Sequence, residues 1–235
     1  MSVWTPRRFW TTASAVPTPG GFTVHLDGKP VRTPLKAPLI LPTLALAEAV
    51  AAEWQQVEGK VDPAVMPFTR AANSAIDKVA PQFEEVAAML AAYGDSDLLC
   101  YRAEGPEGLV EAQAKAWDPV LAWAATDLAA PLQATAGVMH IAQPPESLSR
   151  LAGLVAAMTP FQLAGFHDLV AISGSLVLAL AVARGHLTAE AAWGLSRVDE
   201  DWQIALWGED EEAAEVAALK RAAFVQAWRF LVLCG

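Results

Sequence analysis

The sequence predicts an α+β fold, with a small N-terminal β-containing domain followed by an all-helical C-terminal domain. Two patterns carry this expectation. On both sides of Asp27-Gly28 apolar residues alternate with polar ones, the period of a strand. From Pro106 onward the apolar residues recur at helical spacing. A third observation sets the scale. Hydrophobic residues make up 54% of the 235 residues and charged residues 18%. That is enough apolar material for a substantial core, or for a core and a surface reserved for a partner. Strands first and helices afterwards argue against a doubly wound α/β fold. The expected domains are residues 1–105, β-rich and mixed, and residues 106–235, helical.

The elements follow in chain order. Phe22, Val24 and Leu26 alternate with Thr23, His25 and Asp27. Asp27-Gly28 supplies the two positive-φ residues of a type I′ turn, and Lys29, Val31 and Thr33 return. Two-residue closure pairs Val24 with Val31. Arg8 to Val16 and Leu39 to Leu41 are weaker strand candidates. Thr43 can cap a helix with Leu46, Val50, Trp54 and Val57 on one face, ending at Gly59. Thr69 is a candidate cap for a second helix carrying Ala72, Ile76 and Val79. Pro81 is read as starting a third that ends at Gly94. Asp97 to Arg102 reads as a strand returning to the N-terminal sheet.

In the second half, Asp118-Pro119 would start a new helix or kink a long one. Thr159-Pro160-Phe161-Gln162 combines a capping box with proline at the first helical position. That helix is expected to reach Arg184 and stop at Gly185, with Ala171, Ser175, Ala179 and Ala183 forming a stripe of small residues. Thr188 starts the next, with Leu195, Val198, Trp202 and Leu206 inward. Asp210 starts the last, with Val216, Leu219, Ala223, Ala227 and Phe230 inward.

Charge and motif content narrow the function. The formal charge of −10 disfavours nucleic acid and anionic lipid as partners. Met1 to Trp10 lacks the apolar run of an export signal. Leu169 to Ala183 is shorter than the roughly 20 residues of a membrane span, so no membrane insertion is expected. The two cysteines, Cys100 and Cys234, form neither a disulfide framework nor a zinc-ligand pair. None of the four histidines lies in a catalytic motif. Gly28-Lys29 and Gly59-Lys60 lack the rest of a phosphate loop, and no dinucleotide fingerprint occurs. No cofactor, nucleotide or metal is expected.

The densest feature is acidic. Asp199, Glu200 and Asp201 precede Trp202 and Gln203, and Trp207-Gly208 leads into Glu209, Asp210, Glu211 and Glu212. Three readings stay open. Acids at a helix start complement its positive end. A metal site would use them as ligands, the least favoured of the three, since the spacing fits no calcium loop and acids at a helix start mostly point outward. Acids beside an exposed tryptophan would make a docking surface. His167-Asp168, inside the capped helix, reads as a hydrogen-bonded core or boundary pair in preference to a catalytic one.

Several stretches together resemble one family. They are Arg8-Phe9-Trp10, the run from Val24 to Pro34 through Asp27-Gly28-Lys29-Pro30, Leu46 to Trp54, and Met66-Pro67-Phe68-Thr69-Arg70. Tyr93 to Arg102, Gln113 with Trp117-Asp118-Pro119, His167-Asp168, and Gln203 with Trp207-Gly208-Glu209 complete the set. In order and spacing they are similar to the assembly chaperones of the mitochondrial and proteobacterial ATP synthase that bind the alpha subunit. The resemblance implies a cofactor-free chaperone that is not an enzyme and is monomeric when free. It implies a bacterial cytoplasmic location, or the matrix in mitochondrial relatives. It implies a partner-binding role for Glu209, with Trp207, Asp210, Gln203 and Glu200 around it. A second family position falls at or near His167 and Asp168, where relatives can carry Glu. Two rival readings remain: an enzyme with a motif-free buried site, and a general holding chaperone.

Overall fold

The computed structural model describes residues 7–235. The first six residues of the segment read for an export signal lie outside them. Two compact units result. One comprises residues 7–83 with Thr159–Gly165 and Arg229–Gly235; the other comprises Glu84–Met158 and Phe166–Trp228. The expected division at residue 105 follows the sequence, whereas this one follows the cores. Phe161, Phe230 and Cys234 pack into the same apolar cluster as the strands, which no contiguous boundary can express.

In the first unit β1 (Ala13–Thr18) and β2 (Gly21–Leu26) pair antiparallel, and β3 (Lys29–Pro30) extends the sheet beyond β2. The turn is the expected one. Asp27 lies at φ 47° and Gly28 at φ 81°, the two positive angles of type I′. Val31 donates its amide to Val24 at 2.9 Å, and both side chains are buried. The Asp27 carboxylate also accepts the amides of Thr12 at 2.9 Å and Thr11 at 3.0 Å. These bonds, Thr12 foremost, hold its carboxyl below the ordinary aspartate range. They also explain why the first strand begins at Ala13 and not at Arg8. Of Leu39 to Leu41, only Leu41 bridges to the sheet, exchanging two backbone bonds with Phe22.

That bridge runs directly over Gly21. A Cβ there would lie 2.3 Å from the carbonyl oxygen of Leu41, and φ is 152°. Both facts admit only glycine. Gly21→Ala is expected to lower stability by about 2 kcal/mol or more. Urea unfolding checks this as a lower midpoint at unchanged slope.

α1 (Leu44–Gln56) begins as predicted, with the Thr43 hydroxyl accepting the Leu46 amide at 3.1 Å. α2 (Pro67–Ser74) does not start at Thr69. Glu53 of α1 supplies the cap. Its carboxylate accepts the amides of Phe68 at 2.6 Å and Thr69 at 2.7 Å, and the Thr69 hydroxyl at 2.6 Å. Burial raises the Glu53 pKa in spite of these bonds. The third helix starts at Phe83, two residues after the expected Pro81. The helical path continues through a π turn at Ala75–Val79 and a 3-10 turn at Ala80–Gln82. The altered bonding there accommodates a residue without an N–H.

In the second unit α3 (Phe83–Ala91) leads to a 3-10 turn at Leu98–Cys100 and then β4 (Tyr101–Arg102). α4 (Glu107–Asp127) is one helix that runs through Pro119. β4 pairs in parallel with β5 (Thr135–Ala136), not with the N-terminal sheet. α5 (Pro145–Ala156) and α6 (Pro160–Ser173) follow. The capping box at the start of α6 is reciprocal: Thr159 donates its amide to Gln162 Oε1 at 2.9 Å, and Gln162 donates its own to Thr159 Oγ1 at 3.2 Å.

The expected helix to Arg184 is broken. α6 ends at Ser173, Gly174 sits at φ 70°, and α7 (Leu176–Ala183) begins afresh. The cause is Asp97, fully buried. It accepts the Ser175 hydroxyl at 2.7 Å and the amides of Val177 at 2.9 Å and Leu99 at 3.1 Å. Burial pushes its carboxyl up to about 6. Ser175 therefore caps α7 and does not join a small-residue stripe. Leu176 to Val182 are all buried and form the centre of this unit, and Gly185 at φ 70° ends α7 as expected.

α8 (Ala189–Leu195), capped by Thr188, and α9 (Val198–Trp207) are two helices where one is predicted. α10 (Glu211–Leu233) starts on Asp210, which accepts the Ala213 amide at 2.8 Å. α4 packs on α7 and α9. No described helix is long and apolar enough to cross a membrane.

Candidate functional site

α9 is anchored by Trp202, whose ring lies against Gly108 of α4. A Cβ on Gly108 would meet that ring at 2.6 Å. Gln113 of α4 adds a bond to Asp199 at 2.6 Å. Five residues further along, at about 100° per residue, Trp207 emerges well round the helix from Trp202. It is 86% exposed. Gly208 then turns the chain at φ 88°, a conformation disfavoured for other residues, with its amide bonded to the Ile204 carbonyl at 2.9 Å. Glu209 falls in this connection.

The end of α9 and the start of α10 enclose a groove of about 750 Å³. Ile204, Trp207 and Val216 give it an apolar lining. Glu200, Asp201, Glu209, Asp210 and Glu212 outnumber Arg197 and Lys220 among its charges. Arg197 is partly neutralised, 3.8 Å from Glu200 and 3.7 Å from Asp201. Asp210 is engaged in capping α10. Glu209 is exposed and has no hydrogen bond or ion pair among the described residues, so its charge is available. Despite the acids, no group of three His, Cys, Asp or Glu among the described residues is placed to hold a metal ion.

Four residues predicted to face inward do not, Ala223 among them. Leu206 is 58% exposed, Val216 47% and Leu219 72%. Of the exposed apolar residues, Ile204, Trp207 and Val216 line the groove beside its acids. Residues 7–125 match the family described as ATP12 chaperone protein. This chain belongs to the ATP12 chaperone family. It is 27% identical over 224 residues to Protein atp12, mitochondrial, of Schizosaccharomyces pombe, covering 89% of this chain and 76% of that one. The fold matches the crystal structure of Atp12 from Paracoccus denitrificans with a TM-score of 0.95 at 53% identity, over 97% of this chain and 98% of that one. It matches Atu1473 of Agrobacterium tumefaciens with a TM-score of 0.93 at 43% identity, over 98% and 87%. As a member of the ATP12 family the chain is an assembly chaperone for the ATP synthase, and not an enzyme.

Of the seven residues predicted for partner binding in this ATP12-family chain, Glu200, Gln203, Trp207, Glu209 and Asp210 line one groove. His167 and Asp168 do not line it. They sit on α6 as a pair, with Nδ1 2.9 Å from Oδ1 and both side chains partly exposed. The Asp168 bond raises the His167 pKa above the ordinary value, against partial desolvation. Sequence reasoning missed Ile204, Leu206, Val216 and Leu219 as exposed, and Arg197 and Lys220 as the groove's cations. The available signal was the density of acids around these apolar positions, which a core-facing stripe rarely carries.

Proposed function

We propose that this ATP12-family chaperone binds the unassembled alpha subunit of the catalytic head and shields the surface that later meets beta. The groove between α9 and α10 is the docking site. One observation carries this reading: Ile204, Trp207 and Val216 stand exposed on two adjoining helices in a groove that five carboxylates also line. A lone subunit of a ring exposes apolar interface and aggregates. An apolar patch with an acidic frame suits a client surface of apolar centre and basic rim, and releases it when a better-matched subunit competes. Trp207 serves as the anchor, since exposed tryptophan loses most water on docking. Glu209 supplies the free charge, with Glu200, Gln203 and Asp210 beside it. His167 and Asp168 form a second contact. The chain works as a monomer without cofactor, in the cytoplasm of a bacterium or the matrix of a mitochondrion.

Light scattering tests the proposal. Denatured alpha subunit diluted into buffer is expected to stay clear with this chain present and to aggregate with Glu209→Lys in its place. Equal protection of an unrelated aggregating protein would instead indicate a general holding chaperone.

A further inference from the structure

The first unit carries a second groove, of about 690 Å³, bordered by residues 32–35, residues 61–66 and one side of α2. Its charge is opposite to that of the chain. Arg32, Arg70 and Lys78 line it against the single carboxylate of Asp77, in a protein of formal charge −10. Asp77 is already occupied. It accepts the Thr33 hydroxyl at 2.7 Å and the Leu35 amide at 3.1 Å. The neighbouring Glu53 is occupied by Phe68 and Thr69. Among the described residues none of the three cations forms an ion pair.

The apolar part is equally specific. Leu35 is 73% exposed, yet the two bonds to Asp77 fix the turn that carries it. An apolar side chain held out rigidly loses little freedom on binding. Behind it lie Val61 and Met66, both buried.

We propose that this groove receives a short extended segment of a protein partner, with an apolar side chain set against Leu35 and flanking Asp or Glu carboxylates on Arg32, Arg70 and Lys78. The apolar lining favours a peptide over a phosphate polymer, which has no apolar side chain to set against Leu35. This surface is independent of the α9–α10 groove. That groove, dominated by carboxylates, suits basic clients, whereas this one selects the opposite sign.

The test is fluorescence anisotropy of a labelled nonapeptide of alternating leucine and glutamate, titrated with the full chain. Saturable one-site binding is expected. Arg70→Glu and Leu35→Asp, both at exposed positions, are each expected to weaken it by about tenfold or more. Lys115→Glu, the same charge change on an exposed position of α4, is expected to leave it unchanged. Lys78→Glu replaces Arg70→Glu if circular dichroism shows that variant unfolded. The proposal is overturned if binding does not saturate, or if the two groove variants bind the peptide as the parent chain does. It is equally overturned if a leucine–lysine peptide binds as well, or if phosphatidylserine vesicles or oligothymidylate bind more tightly than the peptide in an Arg70-dependent way.

Discussion

Asp97→Ala is expected to destabilise the chain by about 3–5 kcal/mol. The substitution leaves three buried donors without an acceptor: the Ser175 hydroxyl and the amides of Val177 and Leu99. Each is worth roughly 1–3 kcal/mol unpaired, offset in part by removing a carboxylate that burial already strains. Urea unfolding should show a much lower midpoint. The effect should also depend on pH in a definite direction. The folded-state pKa is raised, to about 6. Between about pH 4 and about pH 6 the unfolded chain has released this proton while the folded chain still holds it. The contribution of this group is therefore fully present below about pH 4 and is lost as pH rises through about 6. Asp97→Asn, which cannot titrate, should lose more stability relative to the parent chain at pH 4 than at pH 7, by about 3 kcal/mol. A gap that widens towards neutral pH would show that Asp97 is ionised throughout.

Trp207→Ala is expected to weaken capture of the alpha subunit by about 2 kcal/mol or more while leaving thermal stability unchanged. The ring is 86% exposed in the free chain, so its removal costs the fold almost nothing. Glu209→Gln keeps shape and removes charge. It is expected to melt near the parent temperature yet capture poorly. A charge desolvated on docking costs about 2–5 kcal/mol when lost, against about 0.3–1 kcal/mol for assisting a helix start. Asp210 already provides the side-chain cap of α10, which leaves Glu209 little structural work. A lower melting temperature with intact capture would make Glu209 a structural residue and remove it from the docking surface.

What could be read in the sequence was what neighbours in the chain decide. The Asp27-Gly28 turn, the Thr159/Gln162 box, the Thr188 and Asp210 caps and the Gly185 stop each depend on residues within one turn of each other, and each is present. What could not be read depends on distant partners. α2 is capped by a carboxylate from α1. The break between α6 and α7 is made by Asp97, 78 residues before Ser175. β4 pairs with β5 because Thr135 lies beside Tyr101, a pairing two-residue strands do not announce. In the groove, the acids and Trp207 stood out as a cluster. The exposure of Leu206, Val216 and Leu219 did not, because an apolar stripe reads the same whether it faces the chain's own core or a partner.

Selective capture of alpha is tested by mixing the tagged chain with purified alpha or purified beta subunit and separating the products by size-exclusion chromatography. A complex with alpha, none with beta, and release of alpha when beta is then added are expected. Co-elution with beta to the same extent, or no complex with alpha, would contradict it.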